Sequence, residues 1–214
     1  MPVLTLDALR TALPALPRTL VVPDEPDRIQ AAVALVFRQR PATPVELLLI
    51  KRAEHPRDPW SGHMALPGGR MEDQDAHLLA TASRETWEET GVVLPREDHE
   101  RFLGILPRVA PSSRLIPRVA VTPHLFVADP HTVARAASPE VERIRWVTLE
   151  ELAHPDTLDE IEVELPTGGR RFPGYRFAED MVWGLTYRIL TDFLERLARD
   201  GPPPSPTGSP PTRR

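Results

Sequence analysis

The chain has 214 residues, 41% hydrophobic and 27% charged, with a formal net charge of -5, and this length favours one domain with terminal extensions. It contains no cysteine, which excludes disulfides, thiolate metal ligands and cysteine nucleophiles. The negative charge argues against a broad basic surface, so we expect no nucleic-acid partner. The first residues lack a signal-peptide pattern and no segment approaches about 18 consecutive apolar residues, so we expect a cytoplasmic protein without a membrane contact.

The first half of the chain predicts one short helix followed by strands and a loop. Thr5 is a suitable N-cap for the helix, and residues 1–28 are assigned to an N-terminal extension. Apolar runs of strand length alternate with segments rich in proline and glycine. The predicted elements are strands at Ala31–Phe37 and Val45–Ile50, a loop at Ala53–Gly62, and a strand at Met64–Leu66 that enters a tight loop at Gly68–Gly69.

The second half predicts a long helix from about Ala76 to Thr90, with Asp75 as its N-cap and Gly91 in the left-handed closing position. Later elements follow from apolar runs and turn residues. They are strands at Phe102–Leu106, Val119–Val127 and Arg143–Thr148, a short helix at Leu149–Ala153, a hairpin of Ile161–Leu165 and Arg171–Tyr175, and a helix at Ala178–Ala198. The proline-rich residues 200–214 predict a disordered tail. Strands and helices mix without regular alternation, which predicts an α+β fold with a mixed β-sheet.

Three glutamates on the long predicted helix carry the chemical signal. Glu88 is three residues and Glu89 four residues after Glu85, so both share a helix face with Glu85. Clustered carboxylates repel one another unless a cation lies among them, and Mg²⁺ binds carboxylate and phosphate oxygens. Arg84 can pair with Glu88 and fix its orientation, and Gly68–Gly69 let backbone amides approach an anion closely. Taken separately, an acidic helix face is commonly just solvated and Pro-Gly-Gly commonly just a turn.

The whole segment from residue 68 to 92 resembles the Nudix box, G-x5-E-x7-R-E-U-x-E-E-x-G-U, where U is aliphatic. The matching residues are Gly69, Arg84, Glu85, Glu88, Glu89, Gly91 and Val92. Three departures are present. The spacing from Gly69 to Arg84 is one residue longer, Thr86 replaces an aliphatic residue, and the upstream acidic position holds Ala76 or Asp75, depending on which end is aligned.

The resemblance implies a Nudix-type α/β/α sandwich in which a loop-helix-loop holds Mg²⁺ or Mn²⁺ against a diphosphate. By the family pattern, Glu85 and Glu89 are metal ligands, Glu88 is a ligand or acts through water, and Arg84 orients the glutamates. An activated water attacks a phosphorus atom of a nucleoside diphosphate linked to another group. The general base is either Glu85 or an acid on a distant loop. Glu140 is the candidate for that acid, and an exposed loop residue is the alternative interpretation.

Further features resemble the coenzyme A pyrophosphatase branch of this family. They are the longer box with Asp75, the segment Leu-Leu-Leu-Ile-Lys-Arg at residues 47–52, and Trp-Gly-Leu-Thr at residues 183–186. The branch's specificity stretch is altered, because Asp58, Trp60 and His63 replace its residues and only Gly62 is retained. A basic residue for coenzyme A phosphates is therefore missing there. The arginines that could compensate are Arg52, Arg57, Arg108, Arg114 and Arg118.

These features predict a substrate-binding set of Gly68, Gly69, Arg52 and Trp60. The Trp60 ring either stacks on an adenine or packs in the core, and His63 is expected to be structural. The primary hypothesis is hydrolysis of coenzyme A or acyl-coenzyme A by a domain spanning residues 29–199. The alternatives are a Nudix enzyme for ADP-ribose or nucleoside di- or triphosphates, and a non-catalytic Nudix-fold binding module. Pro107, fifteen residues after Val92, resembles a feature of ADP-ribose hydrolases and favours that substrate weakly. A monomer and a homodimer both remain open.

Overall fold

The structure is a computed structural model that describes residues 5–13, 16–19, 28–55, 61–95, 100–111, 118–165 and 168–200. Within these residues it has four α-helices, which are α1 Leu6–Ala12, α2 Leu78–Thr90, α3 Leu149–Leu152 and α4 Gly184–Asp200. The strands are β1 Ile29–Arg38, β2 Glu46–Arg52, β3 Met64–Ala65, β4 Gly68–Arg70, β5 Phe102–Ile105, β6 Val119–Val127, β7 Val141–Thr148, β8 Leu158–Leu165, β9 Gly168–Phe177 and β10 Asp180–Trp183. A single 3-10 turn lies at Pro155–Thr157.

The described strands form one mixed sheet in the order β5-β6-β1-β2-β3-β10-β9-β8, with β4 paired to β1 and β7 paired to β2. The β1/β6 and β3/β10 pairs are parallel and the other pairs are antiparallel. This arrangement confirms the predicted α+β fold with a mixed sheet. No helix in the described part of the chain is long and apolar enough to cross a membrane.

Helices cover both faces of the sheet because side chains along each strand alternate in direction. In β1, Leu35 and Phe37 face a core that includes residues of α1 and α4, where the rings of Phe37 and Phe193 stack at 5.2 Å. Ala34 and Val36 face a second core that includes residues of α2. Each fully buried large apolar side chain contributes about 1.5–3 kcal/mol. The layers therefore form an α/β/α sandwich in which α2, among the described helices, covers one face.

The predicted long helix is present, but its N-terminus differs from the prediction. It begins at Leu78, and the N-cap is His77, whose Nδ1 accepts a hydrogen bond from the Ala80 amide at 3.1 Å. Asp75 is therefore not the cap, because its carboxylate is engaged with other side chains. Gly91 ends the helix with φ 69° and donates to the Trp87 carbonyl at 2.8 Å, which confirms the predicted left-handed position.

The predicted tight loop at Gly68–Gly69 is instead strand β4, which pairs Gly68 with Val33 and Gly69 with Ala32. Gly68 has φ 150°, and a Cβ there would lie 2.3 Å from the Ala32 carbonyl oxygen. Only glycine allows this close approach of two backbones. The chain is thus held flat against β1 at the point where it reaches α2.

The last predicted helix begins six residues later than expected, at Gly184. Residues Asp180–Trp183 form β10 instead, after a turn in which Ala178 has φ 56°. The buried Asp180 anchors this strand, since its carboxylate accepts a hydrogen bond from Arg143 and lies 3.5 Å from the Lys51 ammonium. The hairpin and β10 are therefore tied to β2 and β7. The short helix after Thr5 is confirmed, whereas the tail at residues 201–214 lies outside the described residues.

Candidate active site

Glu89 is the most buried of the three glutamates and lies beneath β4. It is 9% exposed, and its Oε2 accepts a hydrogen bond from the Gly68 amide at 2.8 Å. Burial is the main cause that raises the pKa of Glu89 to about 8. The charges of Glu85 and Glu140 act in the same direction, whereas the Gly68 amide and the charge of Arg52 oppose it.

Glu85 lies against Gly69, one residue further along β4. A Cβ on Gly69 would stand 2.3 Å from Glu85 Oε1, so only a glycine leaves room for this carboxylate. Burial is the first cause of a raised pKa of Glu85, opposed by the charge of Arg84. The two glycines therefore have different tasks: Gly68 donates its amide to Glu89, and Gly69 makes space for Glu85.

Arg84 connects the glutamates to the turn before α2. Its Nη1 donates to Glu85 Oε1 at 3.0 Å and to Glu88 Oε2 at 3.1 Å, which includes the pair expected from the four-residue spacing. Its Nε and Nη2 donate to the two oxygens of Asp75 at 3.0 and 2.9 Å, and Nη2 also donates to the Arg70 carbonyl at 3.0 Å. A guanidinium held in this way fixes the direction of the Glu85 and Glu88 carboxylates.

Asp75 is the site residue whose role the sequence interpretation missed. It is buried, and beyond Arg84 it accepts hydrogen bonds from the Thr81 hydroxyl at 3.0 Å and the Glu72 amide at 3.0 Å. The hydrogen bond from Arg84 is the main cause that lowers the pKa of Asp75 to about 2. Its place in the longer box is the available signal, but an aspartate just before a helix also predicts a cap.

Arg52 and Glu140 come together at the end of the site where Glu89 lies. The Ala53 amide donates to the Glu140 carbonyl at 2.8 Å, and the Ala137 amide donates to the Glu89 carbonyl at 3.0 Å. The loop that carries Glu140 is thus fixed between β2 and the last turn of α2. Its exposed carboxylate and the Arg52 guanidinium are close enough for their charges to act on Glu89.

Several other predicted residues lie elsewhere or outside the described residues. Arg108 donates to the Gln30 side chain at 3.0 Å, at the start of β1. His63 packs edge-on against Trp183, with ring centroids 5.3 Å apart. Arg118 lies directly before β6, where its carbonyl accepts a hydrogen bond from the Ile29 amide at 2.7 Å. The other predicted positions, Arg57, Asp58, Trp60 and Arg114, lie outside the described residues.

The carboxylates suit a hard divalent cation in chemistry, although they do not form a cage as they stand. Among the described residues no group of three His, Asp or Glu side chains is arranged to hold a metal. Arg84 occupies the space between Glu85 and Glu88, and Glu89 is turned towards the Gly68 amide. The donors nevertheless are all carboxylate oxygens within about one helical turn, which is the ligand type of Mg²⁺ and Mn²⁺. For these carboxylates to hold one cation together, Glu85 and Glu88 would have to turn away from Arg84, and Glu89 away from the Gly68 amide.

Clustered carboxylates beside a glycine backbone are compatible, in ligand type, with the class of metal-assisted hydrolases that act on phosphate anhydrides. The family model described as NUDIX domain matches residues 27–165. The chain belongs to the Nudix family and is a Nudix hydrolase, which makes it a pyrophosphohydrolase. Divalent metal dependence is general in this family.

Curated relatives support the same family. The Nudix hydrolase NudL of Enterobacter sp. (strain 638) is 32% identical over 173 residues, which cover 80% of this chain and 84% of that protein. The Schizosaccharomyces pombe protein C14C4.10c is 32% identical over 154 residues, or 65% of this chain. The match spans only 46% of that fission yeast protein, so the latter is much longer than the region shared.

Solved structures agree on the fold. A MutT/nudix family protein from Enterococcus faecalis has a TM-score of 0.59 at 19% identity, over 84% of this chain and 66% of that chain. A bifunctional NMN adenylyltransferase/ADP ribose pyrophosphatase from Francisella tularensis, complexed with AMP and Mn ion, has a TM-score of 0.53 at 20% identity. That match covers 82% of this chain and 43% of the Francisella chain. At these identities the likeness concerns the fold alone.

Proposed function

We propose that this Nudix hydrolase cleaves the diphosphate linkage of coenzyme A or acyl-coenzyme A to 3',5'-ADP and the corresponding phosphopantetheine. The observation that carries the proposal is Asp75, which lies in the lengthened part of the box that resembles the coenzyme A branch. Its carboxylate holds Arg84 with both oxygens, so the longer box is built into the site. The Trp183–Thr186 segment, which also resembles that branch, lies at the junction of β10 and α4.

We propose roles for the residues as follows. Glu85 and Glu89 hold Mg²⁺ or Mn²⁺, Glu88 binds it directly or through water, and Arg84 orients the carboxylates. The cation, when bound, offsets charge on the phosphate oxygens and lowers the pKa of a bound water. The Gly68–Gly69 backbone lies against the diphosphate. The Mn ion in the Francisella structure supports this type of cofactor.

We propose Glu140 as the general base, with Glu85 as the alternative. The Glu140 loop is fixed between Ala53 and the end of α2, and the charge of Glu140 acts on Glu89. Its carboxylate is exposed and can take a proton from water, whereas Glu85 already accepts a hydrogen bond from Arg84. A comparison of Glu140→Gln with Glu85→Gln separates the two, because the variant that lacks the general base loses the acidic limb of the pH–rate profile. A Glu140→Gln profile identical to wild type would assign the base to Glu85.

A substrate panel tests the proposed specificity. Purified protein is incubated with Mg²⁺ or Mn²⁺ and coenzyme A, acetyl-coenzyme A, ADP-ribose, or nucleoside di- and triphosphates, and products are separated by chromatography. We expect 3',5'-ADP from coenzyme A at the highest kcat/KM. If coenzyme A stays intact while ADP-ribose or nucleotides are cleaved, the coenzyme A proposal is wrong and the alternative substrate class holds.

The same panel tests the binding-module alternative. In Glu89→Gln the hydrogen bond from Gly68 can persist while the side chain can no longer ionise and bind a metal as a carboxylate, so the fold is retained and catalysis fails. Complete loss of phosphate-bond cleavage in this variant, with an unchanged circular dichroism spectrum, supports the enzyme. A wild-type protein that cleaves no diphosphate would support a non-catalytic module instead.

We further propose that residues 29–199 are the catalytic domain and that residues 1–28 and 200–214 are extensions. We also propose that the enzyme acts in the cytoplasm on a small-molecule nucleoside diphosphate. The boundaries are supported by the start of β1 at Ile29 and the end of α4 at Asp200. A truncated protein of residues 29–199 with wild-type kcat/KM would support them. Because α1 packs against the α4 side, loss of stability in the truncated protein would assign α1 to the domain.

A further inference from the structure

The sheet face beneath α2 continues beyond that helix across β3, β10 and β9. Directly paired residues on neighbouring strands point to the same face of a sheet. Met64 and Val182 pair across β3 and β10, and both belong to the core on the α4 side. Their chain neighbours Ala65 and Trp183 therefore point to the α2 side.

Three aromatic rings lie together on this part of the face. The Trp183 ring meets the His63 ring edge-on at 5.3 Å and the Phe172 ring at 5.4 Å with an angle of 42°. Each of the three is partly exposed, and none belongs to either buried core. Gly174 stands directly opposite Trp183 in β9 and carries no side chain. We call His63, Trp183 and Phe172 the aromatic floor.

The aromatic floor is close to the carboxylate site. Ala65, the β3 neighbour of Trp183 on this face, is three residues from Gly68, so their Cα atoms are at most about 11 Å apart. Arg52 connects the two regions, because its amide donates to the His63 carbonyl at 3.0 Å and its charge acts on Glu89. One nucleotide can span this distance, with its phosphates towards Gly68.

We propose that the aromatic floor stacks against the nucleobase of the substrate, with Trp183 as the main contact. The proposal rests on the proposed function, since it assumes that the molecule cleaved is a nucleoside diphosphate derivative. Stacking on exposed aromatic rings suits any base, because every base has a π face. The diphosphate then extends along β3 towards Gly68 and the carboxylates, and Arg52 lies between base and metal site with a charge that favours phosphate.

The experiment compares two ligands that differ only by the base. AMP and ribose 5-phosphate are titrated into the full-length protein by calorimetry with Mg²⁺ present. Removal of one stacking partner weakens base binding on the order of 10- to 100-fold. We expect this loss for AMP in Trp183→Ala, less than about threefold loss in Trp183→Phe, and no change for ribose 5-phosphate. Trp87→Ala, which removes an exposed tryptophan of α2, is the matched control and should leave both affinities unchanged.

A second measurement does not depend on the stability of Trp183→Ala. The indole N–H signal of Trp183 in wild type, assigned by its absence in Trp183→Phe, should shift on addition of AMP and stay in place with ribose 5-phosphate. The proposal is overturned if the Trp183 indole signal does not shift with AMP, or if wild type does not bind AMP. It is also overturned if Trp183→Ala loses affinity equally for AMP and ribose 5-phosphate. Binding needs no turnover, so a failed substrate panel with intact base stacking would overturn the proposed substrate alone.

Discussion

Arg84 owes its position to Asp75, which accepts hydrogen bonds from Nε and Nη2 at 3.0 and 2.9 Å. The opposite edge of the same guanidinium contacts Glu85 and Glu88. A planar group with five donors is held in one orientation when two of its edges are engaged. Asp75 therefore acts through Arg84 on the direction of the glutamates.

Asp75→Asn is expected to lower kcat/KM on the order of 10- to 100-fold, the usual effect of removing a partner behind a metal ligand. The amide keeps the shape of the side chain but presents only one acceptor oxygen to Arg84. Steady-state rates are measured with increasing Mg²⁺, and the apparent metal affinity should fall with the rate. Asp73→Asn changes an exposed neighbour and is the control. Wild-type kinetics in Asp75→Asn would show that Arg84 needs no anchor.

Gly68 and Gly69 offer a second test at single residues. Substitution by alanine should mainly reduce activity at Gly69 and mainly reduce stability at Gly68. A Cβ on Gly69 meets the movable end of Glu85, so the carboxylate can swing aside and the fold can survive. A Cβ on Gly68 meets the Ala32 carbonyl at 2.3 Å, and φ 150° is unfavourable for alanine. We expect Gly69→Ala to lose about 100-fold in activity with little change in stability. Gly68→Ala should instead be destabilised by about 1–3 kcal/mol.

The Gly69 explanation depends on Glu85 and can be checked in a mutant cycle. In a Glu85→Ala background the clash is absent, so adding Gly69→Ala should cause no further loss of activity. Additive losses in activity would mean that Gly69 serves the site in another way. Unfolding in urea provides the stability readout for all variants.

At the scale of elements, the sequence predicted the strands and helices whose apolar pattern and terminal residues indicate the same bounds. Strand β6 has the predicted bounds, Val119–Val127, and α2 ends at Gly91 as expected. Strand β10 was missed because Met181 and Leu185 continue the four-residue spacing of α4 across Gly184. Nothing local reveals that Gly184, at φ 65°, separates a strand from a helix.

The site was predictable to the extent that it lies on one helix. The 3.6-residue period places Glu85 and Glu89 on one face, and the observed contacts of both with β4 agree with this. The role of Asp75 was not predictable, because it depends on how the turn before α2 folds back onto Arg84. The aromatic floor was equally hidden, because its members come from three separate segments that only the sheet register brings together.

The turns before and after β10 predict opposite effects at two positions with similar φ angles. Gly184→Ala is expected to cost about 1–2 kcal/mol, because alanine is disfavoured at φ 65° although space for its Cβ is open. Ala178 already has φ 56°, so Ala178→Gly should be neutral or stabilising. Urea denaturation measures both. If Ala178→Gly is destabilised as much as Gly184→Ala, the stability changes do not arise from the positive φ angles of the backbone.

At the scale of the whole molecule, the two sheet faces differ in their contents. The α4 face has a core of large apolar residues, with Phe37, Phe177 and Phe193 fully buried. The α2 face has a smaller core and carries the carboxylates, Arg84 and the aromatic floor. The proposed ligand-binding residues therefore lie on the sheet face opposite the larger core, and substitutions on the α4 face are expected to affect stability before catalysis.

His124 is a titratable group buried within the sheet, and it couples global stability to pH. It lies on β6, 1% exposed, beside the ring of Phe102, and its Nδ1 hydrogen-bonds the Thr122 carbonyl at 3.1 Å. Burial lowers the pKa of His124 to about 4, from 6.5 when exposed. The unfolded chain binds the proton first as pH falls, so stability contributed by neutral His124 is present above about 6.5 and is lost towards pH 4.

The size of this effect follows from the two pKa values. Between pH 7.5 and pH 5 the contribution of His124 to the free energy of unfolding should fall by about 2 kcal/mol. Glu89, whose pKa is raised to about 8, changes stability in the opposite direction over the same interval, so the wild-type curve alone is not decisive. The measured quantity is the difference between wild type and His124→Gln in urea denaturation at both pH values. That difference should shrink by about 2 kcal/mol on acidification, and parallel pH dependences of the two proteins would show that His124 titrates normally in the folded state.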